Sequence, residues 1–339
     1  MNDLDLRDQF WHLICHRSEL PKQGDFLRLN WLGQDIVVCN DADNLLVFDN
    51  LCPHRGSRFF SEFHGNAPIS CPYHGWSFQN GHLHIPCIEK FSQDDLRDVN
   101  LRQWQSDWCG DFLFVSPRPL VTLESQLAGL FDKLASISMD IHGRADWNAY
   151  SYECNWKIAI ENALDALHAP FVHPTSLGRL NLSEPKDEYM NKNSAVYFRI
   201  LDASYEKKLR RASKAFQLGE QYDGYMSLYL FPFSMLSSTF GYSYSLQNFF
   251  PARERNRTNF YSRLLKSNLA PSFPPSGMDH FFASTALVNR QVFEEDHVIC
   301  QQIDMSGYDI FQTRMLSVDE EKIVHFRQSL QSLDYQERY

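Results

Sequence analysis

Between residues 26 and 115 the apolar positions come in short alternating runs broken by turn formers, the period-two pattern of antiparallel strands. Phe26-Leu27-Arg28-Leu29, Asp35-Ile36-Val37-Val38-Cys39 and Leu45-Leu46-Val47-Phe48 are predicted strands, the last following the turn Asn40-Asp41-Ala42-Asp43-Asn44. Ser77-Phe78-Gln79, Asn80-Gly81 and His82-Leu83-His84-Ile85-Pro86 read as a hairpin, because Asn-Gly accepts the positive φ angles of a two-residue turn. Phe112-Leu113-Phe114-Val115 closes the series. Ser116-Pro117-Arg118-Pro119 then disfavours helix and sheet alike, which divides the chain into 1–118 and 119–339. The first part is expected to be a small antiparallel β domain.

Beyond the boundary strands and helices mix, an α+β pattern. Strands are predicted at Ala195 to Leu201, Tyr225 to Phe231, Thr239 to Phe249 and Asn259 to Lys266. In the third, Phe240, Tyr242, Tyr244, Leu246 and Asn248 alternate onto one face, and Gly241, Ser243, Ser245 and Gln247 onto the other. The aromatic face is expected to be sheet core, with Tyr242, Tyr244 and Asn248 as candidates for a cavity wall. Within the segment from Cys154 to His173 a helix places Glu161, Asn162, Asp165 and His168 on one side, and Trp156, Ile160, Ala163 and Leu167 on the other. A polar stripe ordinarily faces solvent. Here Pro170 ends the helix just after His168, so His173 can approach His168 from another direction and both imidazoles can serve one metal.

A third ligand is sought in Val292-Phe293-Glu294-Glu295-Asp296-His297-Val298-Ile299-Cys300. If Asp279 caps a helix running to Ile303, Asp296 has Val292 and Phe293 one turn before it and Ile299 and Cys300 one turn after, and points inward. Glu295 has a more mixed ring of neighbours and Glu294 lies toward the polar side. A buried acid needs a charge partner or a metal. With His168 and His173, Asp296 would complete the two-His, one-carboxylate set of a mononuclear non-heme iron site; a structural acid is the alternative.

Composition narrows the class. The 339 residues suit two domains, and a net charge of −10 argues against nucleic acid as partner. Lys207-Lys208-Leu209-Arg210-Arg211 with Lys214, and Arg253, Arg255 and Arg257, read as a solvated helix face and a polar turn. Asp3, Asp5 and Asp8 stand where an export signal would be basic, and no apolar run approaches membrane-spanning length. Eight cysteines are too sparse for a disulfide scaffold. Cys15, Cys39, Cys87, Cys109, Cys154 and Cys300 are expected as reduced, mostly buried thiols of a cytoplasmic protein.

Two clusters carry the most specific chemistry: Cys52-Pro53-His54 and Cys71-Pro72-Tyr73-His74. Each supplies one Cys and one His, which is the division required by a Rieske [2Fe–2S] centre, where two Cys hold one iron and two His the other. Zinc is the alternative for such a set, although zinc patterns usually pair Cys with Cys. Arg55-Gly56 and Gly75-Trp76 follow the motifs, and with Pro53 and Pro72 they suit tight loops around a cluster.

Together these features resemble the catalytic α subunits of Rieske non-heme iron oxygenases. The resemblance runs through Phe10-Trp11-His12-Leu13-Ile14, both Cys/His motifs, Asn155-Trp156-Lys157, Asp165-x-x-His168-x₄-His173 and Phe293-Glu294-Glu295-Asp296, in family order. It implies a Rieske domain joined to a helix-grip catalytic domain, an antiparallel sheet wrapped around helices. The compact length looks like the homotrimeric, α-only branch. The resemblance further implies electrons from NAD(P)H through a reductase, with or without a ferredoxin, and O₂ as co-substrate at the iron. Asp165 matches the family's bridging carboxylate, which connects a cluster His of one subunit to an iron His of its neighbour. The implied activity is hydroxylation or dealkylation of a small organic substrate. A cis-dihydroxylating dioxygenase is the second possibility, and an electron-transfer protein without oxygenase activity the third.

Overall fold

The computed structural model describes residues 2–42, 44–219, 222–303 and 315–336; of the predicted turn at 40–44, Asp43 lies outside them. Helix α1 (Asp3–Gln9) leads into β1 (His12–His16), followed by β2 (Asp25–Trp31), β3 (Gln34–Asp41), β4 (Asn44–Asp49), β5 (His64–Asn66), β6 (Ile69–Ser70), β7 (Ser77–Gln79) and β8 (His82–His84). A short α2 (Gln93–Leu96) precedes β9 (Gln105–Cys109) and β10 (Phe112–Ser116). These strands form three antiparallel sheets, β4-β3-β2-β5, β6-β7-β8 and β1-β10-β9. All the predicted strands of this part are present.

The β4-β3-β2 wall is apolar on both faces, which explains the unbroken run Ile36 to Cys39. Phe26, Val37, Cys39 and Phe48 pack with Cys52, Cys71, Trp76 and Phe78 on the side of the two Cys/His loops. Their alternates Leu27, Leu29, Trp31, Ile36, Val38 and Val47 pack with Trp156, Phe250 and Phe260 of the C-terminal half. Period-two geometry thus makes one sheet the common wall of two cores.

The C-terminal half continues through α3 (Leu123–Leu127), α4 (Phe131–Met139), β11 (Ile141–Tyr152), α5 (Trp156–Leu164), α6 (Ala169–Val172), β12 (Lys186–Met190), β13 (Asn193–Phe198) and α7 (Ala203–Ala212). Then come β14 (Tyr225–Leu230), β15 (Ser234–Thr239), β16 (Ser243–Pro251), β17 (Thr258–Ser267), α8 (Asp279–Cys300) and α9 (Glu321–Gln336). Seven strands form one sheet in the order β11-β17-β16-β15-β14-β13-β12. Helices α5 and α8 pack on one face of it, with α9 against α5. Leu127, Leu134 and Ile137 of α3 and α4 cover the other face together with Leu13 and Phe114. The result is the expected α+β arrangement of an antiparallel sheet gripping helices.

Three expectations need correction. The chain does not run as one strand from Thr239 to Phe249: Phe240 and Gly241 take φ angles of 56° and 76° and turn β15 into β16. Tyr244 and Leu246 then point into the core under α3 and α4, and Asn248 is buried, donating to the Leu13 carbonyl at 2.9 Å. Among the described residues they do not border the cavity of about 350 Å³ that Ser243, Ser245 and Gln247 line together with Tyr242, the one cavity-wall candidate found there. Second, α5 stops at Leu164, four residues before the predicted end at His168, and Asp165 is extended at φ −76° and ψ 131°. Leu167 is exposed, and Pro170 sits in the first turn of α6 instead of terminating α5. Third, α8 ends at Cys300 and is preceded by Met278 with no side-chain cap, so Asp279 is its first residue rather than its cap.

Cys15, Cys39, Cys109, Cys154 and Cys300 are buried free thiols, whereas Cys87 is exposed. No helix among the described residues is long and apolar enough to cross a membrane.

Candidate metal centres

The two Cys/His loops have the same backbone construction. In each, the cysteine carbonyl accepts from the glycine four residues on, Gly56 to Cys52 at 2.8 Å and Gly75 to Cys71 at 3.0 Å. Each cysteine N–H donates five residues on, Cys52 to Ser57 and Cys71 to Trp76, both at 2.7 Å. Gly56 and Gly75 close the loops at φ 70° and 71°, the left-handed region that glycine enters without strain. The loops bring His54 and His74 together with ring centroids 4.8 Å apart, and His54 stacks on Trp76 at 4.8 Å.

This donor set fits a [2Fe–2S] cluster. Cys52 and Cys71 are buried, and burial pushes the Cys52 thiol up while the backbone N–H groups of Tyr73 and His74 help hold Cys71 below its ordinary value. His54 Nδ1 is buried with no hydrogen-bond partner among the described residues. A buried imidazole nitrogen without a partner is costly unless it serves as a ligand.

The second centre lies across α5, α6 and α8. Asn155 caps α5 by accepting from the Lys157 N–H at 3.0 Å, and buried Trp156 anchors its first turn beside Phe233 and Phe326. The early end of α5 leaves Asp165 at its C-terminus. One turn of α6 then separates His168 from His173. Their Nε2 atoms lie 3.2 Å apart, and Asp296 Oδ1, from α8, is 3.0 Å from His173 Nε2 and 3.4 Å from His168 Nε2. Three donors around one first-row ion at about 2.1 Å stand roughly 3.0 Å apart if facial and roughly 3.4 Å if tetrahedral. The observed spacings span that range, and two imidazoles with one carboxylate is the donor chemistry of non-heme Fe(II).

The outward nitrogens are also held. Asp165 Oδ2 lies 3.2 Å from His168 Nδ1, while its Oδ1 accepts from the Leu167 N–H at 2.7 Å. Glu295 Oε2 accepts from His173 Nδ1 at 2.7 Å and from Ser176 at 2.9 Å, and Gln291 fixes its other oxygen at 2.7 Å. The Asn162 amide donates to Asp296 Oδ1 at 2.8 Å. Sequence reasoning placed Asn162 on the polar stripe but gave neither it nor Glu295 a task. Adjacent α8 residues aim at opposite edges of one imidazole because His173 inserts between α6 and α8, a tertiary fact no helical wheel contains.

Charge follows geometry. Burial raises the Asp296 carboxyl, but hydrogen bonds with His168 and His173 outweigh it and bring it down to about 2. Burial lowers His168, yet Asp165 and Asp296 lift it to about 9. His173 is raised against its burial by Asp296 and Glu295. Three carboxylates around two imidazoles therefore hold protons where a cation would sit, and a metal entering the site would release them.

Two neighbouring spaces share lining residues beside the centre. A cavity of about 100 Å³ contains His168, His173 and Asp296 and is bordered by Val292, Phe293, Tyr225 and Gln247. The same four residues border an outer cavity of about 350 Å³ that reaches α7.

Residues 10–99 match the Rieske [2Fe–2S] domain family, and residues 152–335 match the vanillate O-demethylase oxygenase C-terminal domain family. The carnitine monooxygenase oxygenase subunit of Escherichia coli (strain K12) is 30% identical over 171 residues, covering 48% of this chain and 46% of that protein. The glycine betaine monooxygenase oxygenase subunit of Chromohalobacter salexigens is 32% identical over 186 residues, covering 52% and 41%. The chain thus spans less than half the length of these curated relatives. A crystal structure of the quaternary ammonium Rieske monooxygenase CntA with L-carnitine superimposes with a TM-score of 0.73 at 19% identity, over 98% of this chain and 90% of that one, and shares its fold. The C-terminal match alone takes in more than half of the residues, and the chain belongs to the Rieske oxygenases whose catalytic domain is of the vanillate O-demethylase type.

Proposed function

We propose that this chain is the terminal oxygenase of a multicomponent system, hydroxylating or dealkylating a small organic substrate. Cys52, His54, Cys71 and His74 would hold the [2Fe–2S] cluster, and His168, His173 and Asp296 the mononuclear iron. When bound, the cluster supplies single electrons and the iron activates O₂ beside the substrate. The observation that carries this reading is the convergence of three donors, each steadied by a second polar group, on the smaller of two neighbouring cavities.

The remaining work belongs to side chains of this chain. Asp165 accepts from His168 Nδ1 and Glu295 from His173 Nδ1, which presents both Nε2 atoms inward and raises their basicity. Asn162 keeps the Asp296 oxygen turned toward them. Val292 and Phe293 limit water at the inner cavity.

We further propose a homotrimer in which the cluster of one copy serves the iron of the next, with residues 1–118 as the Rieske domain and 119–339 as the catalytic domain. Exposed apolar surface at both ends supports it: Tyr73 is 56% exposed beside His74, and Phe171 is 85% exposed just beyond Asp165 and His168. Electrons would come from NAD(P)H through a separate reductase or ferredoxin in the cytoplasm. The test is substrate-dependent O₂ consumption by purified protein with a surrogate reductase, scored by product mass. Gain of one oxygen or loss of a methyl supports the reading, gain of two hydroxyls makes it a dihydroxylase, and cluster reduction without O₂ consumption across the panel refutes it.

A further inference from the structure

The inner cavity holds one charge that the metal centre does not use. Among the described residues, its ionisable lining groups are Asp165, His168, His173, Tyr225, Asp296 and Lys322. Four of these belong to the metal centre, and burial raises the Tyr225 phenol, which stays neutral. Lys322 remains. It is the second residue of α9, where a cation opposes the helix dipole, and its side chain is only 4% exposed. Ile323 and Phe326 seat α9 on the core around Trp156, which turns the neighbouring Lys322 toward β12 and β13. There its Nζ donates to Asp187 Oδ1 at 3.2 Å and lies 5.8 Å from the centre of the Phe198 ring, a wall of the cavity. Asp187 is not among the lining residues, so the pair presents its positive end inward. Leu164, Leu182, Val196, Phe198 and Met235 make the surrounding wall apolar, a setting in which a charge acts with little screening.

We propose that Lys322 is a charge-stabilising residue of the oxygenase reaction: its ammonium offsets the negative charge that gathers in the inner cavity as O₂ is reduced. The inference rests on the metal-site reading above. A cation fixed in an apolar wall needs no reorganisation when that charge appears, and Asp187, at 16% side-chain exposure, holds the ammonium in place. The competing role, a tie between α9 and β12, needs the ion pair but not the cavity.

The test uses holoprotein with the cluster oxidised and the mononuclear iron ferrous, so that ligand binding is read without turnover. Azide, an anionic ligand, and nitric oxide, an uncharged one, are titrated onto that iron and followed by near-infrared magnetic circular dichroism and electron paramagnetic resonance. Lys322→Met should weaken azide about 10-fold and leave nitric oxide within twofold of wild type. Lys322→Arg, which keeps the charge, should restore most of the azide affinity. Should Lys322→Met fail to fold, Lys322→Gln/Asp187→Asn replaces the ion pair by an amide pair, and it should weaken azide about 3-fold with nitric oxide unchanged. An azide affinity within twofold of wild type in the neutral variants, parallel losses of azide and nitric oxide, or wild-type protein that takes nitric oxide but no azide would overturn the proposal. Iron content is measured on the same samples. Wild-type protein without mononuclear iron would sink the metal-site reading, whereas iron whose azide affinity ignores Lys322 sinks this proposal alone.

Discussion

Glu295 and Asp296 are neighbours on α8 with opposite duties, and separating them is the sharpest mutational test of the metal centre. Asp296 lies on the Nε2 side of both imidazoles, whereas Glu295 meets His173 only at Nδ1, 2.7 Å away. His173 is fully buried, so Glu295→Ala leaves its Nδ1 no protein or solvent partner in place. Loss of such an orienting carboxylate weakens metal binding about 10- to 100-fold, or roughly 1.4–2.7 kcal/mol. Asp296→Ala removes the proposed ligand oxygen and a full charge, and the mononuclear site should fail to load at any practical concentration. The assay is competition of Fe(II) against a chelator in protein stripped of mononuclear iron, with the cluster spectrum as internal control. Glu295→Gln, which keeps an acceptor oxygen, should lie between wild type and Glu295→Ala. If Glu295→Ala loses the metal outright and Asp296→Ala retains it, the ligand has been assigned to the wrong residue. If Glu295→Ala binds within twofold of wild type, the orienting role is wrong.

Three further outcomes are expected. Asp165→Asn should keep both metals yet lose most turnover, and loss of mononuclear iron in that variant would instead make Asp165 a ligand. Arg327 of α9 donates to both Glu161 oxygens on α5 at 2.7 Å, so Arg327→Met should lower stability by about 3 kcal/mol in urea unfolding, much of it recovered in Glu161→Gln/Arg327→Met; an unchanged midpoint would show that this pair does not tie the helices together. Burial holds His12 neutral, with its pKa lowered from 6.5 to about 3. The unfolded chain therefore binds the extra proton, and this contribution to stability, full above pH 6.5, falls by about 1.4 kcal/mol per pH unit down to roughly pH 3; stability measured against pH should be flatter in His12→Phe over pH 6 to 4, and parallel slopes would contradict the assignment.

How much of this was legible in the sequence follows from where the information sits. The Cys/His loops are local: two short motifs specify ligands, glycine turns and flanking strands at once, and the structure repeats one backbone pattern in both. Period two located β2, β3, β4, β7, β8 and β10 for the same reason. The error at Thr239 to Phe249 came from reading an alternating run through a turn that only the positive φ angles of Phe240 and Gly241 reveal. The alternation itself holds: Tyr244 and Leu246 are core as expected and Tyr242 borders the cavity, but the other cavity residues are the small polar alternates Ser243 and Ser245 instead of Tyr244 and Asn248. The α5 boundary failed for a related reason, because Pro170 suits the first turn of a new helix as well as the end of an old one. The inward orientation of Asp296 was legible because its α8 neighbours Val292, Phe293 and Cys300 are buried. Glu295 was missed because its partner comes from α6. Lys208 was read as part of a solvated helix face and is exposed on α7, where it also borders the outer cavity.

The central claim is that one chain holds two different iron centres. Protein purified without oxygen should be assayed for iron and acid-labile sulfide and examined by electron paramagnetic resonance after reduction. The account predicts about three irons and two sulfides per chain, with the low average g value of a mixed-ligand [2Fe–2S] cluster. In Asp296→Ala one iron should be lost and that signal should stay unchanged. Zinc in place of iron with no acid-labile sulfide, or a full complement of iron in Asp296→Ala, would contradict it.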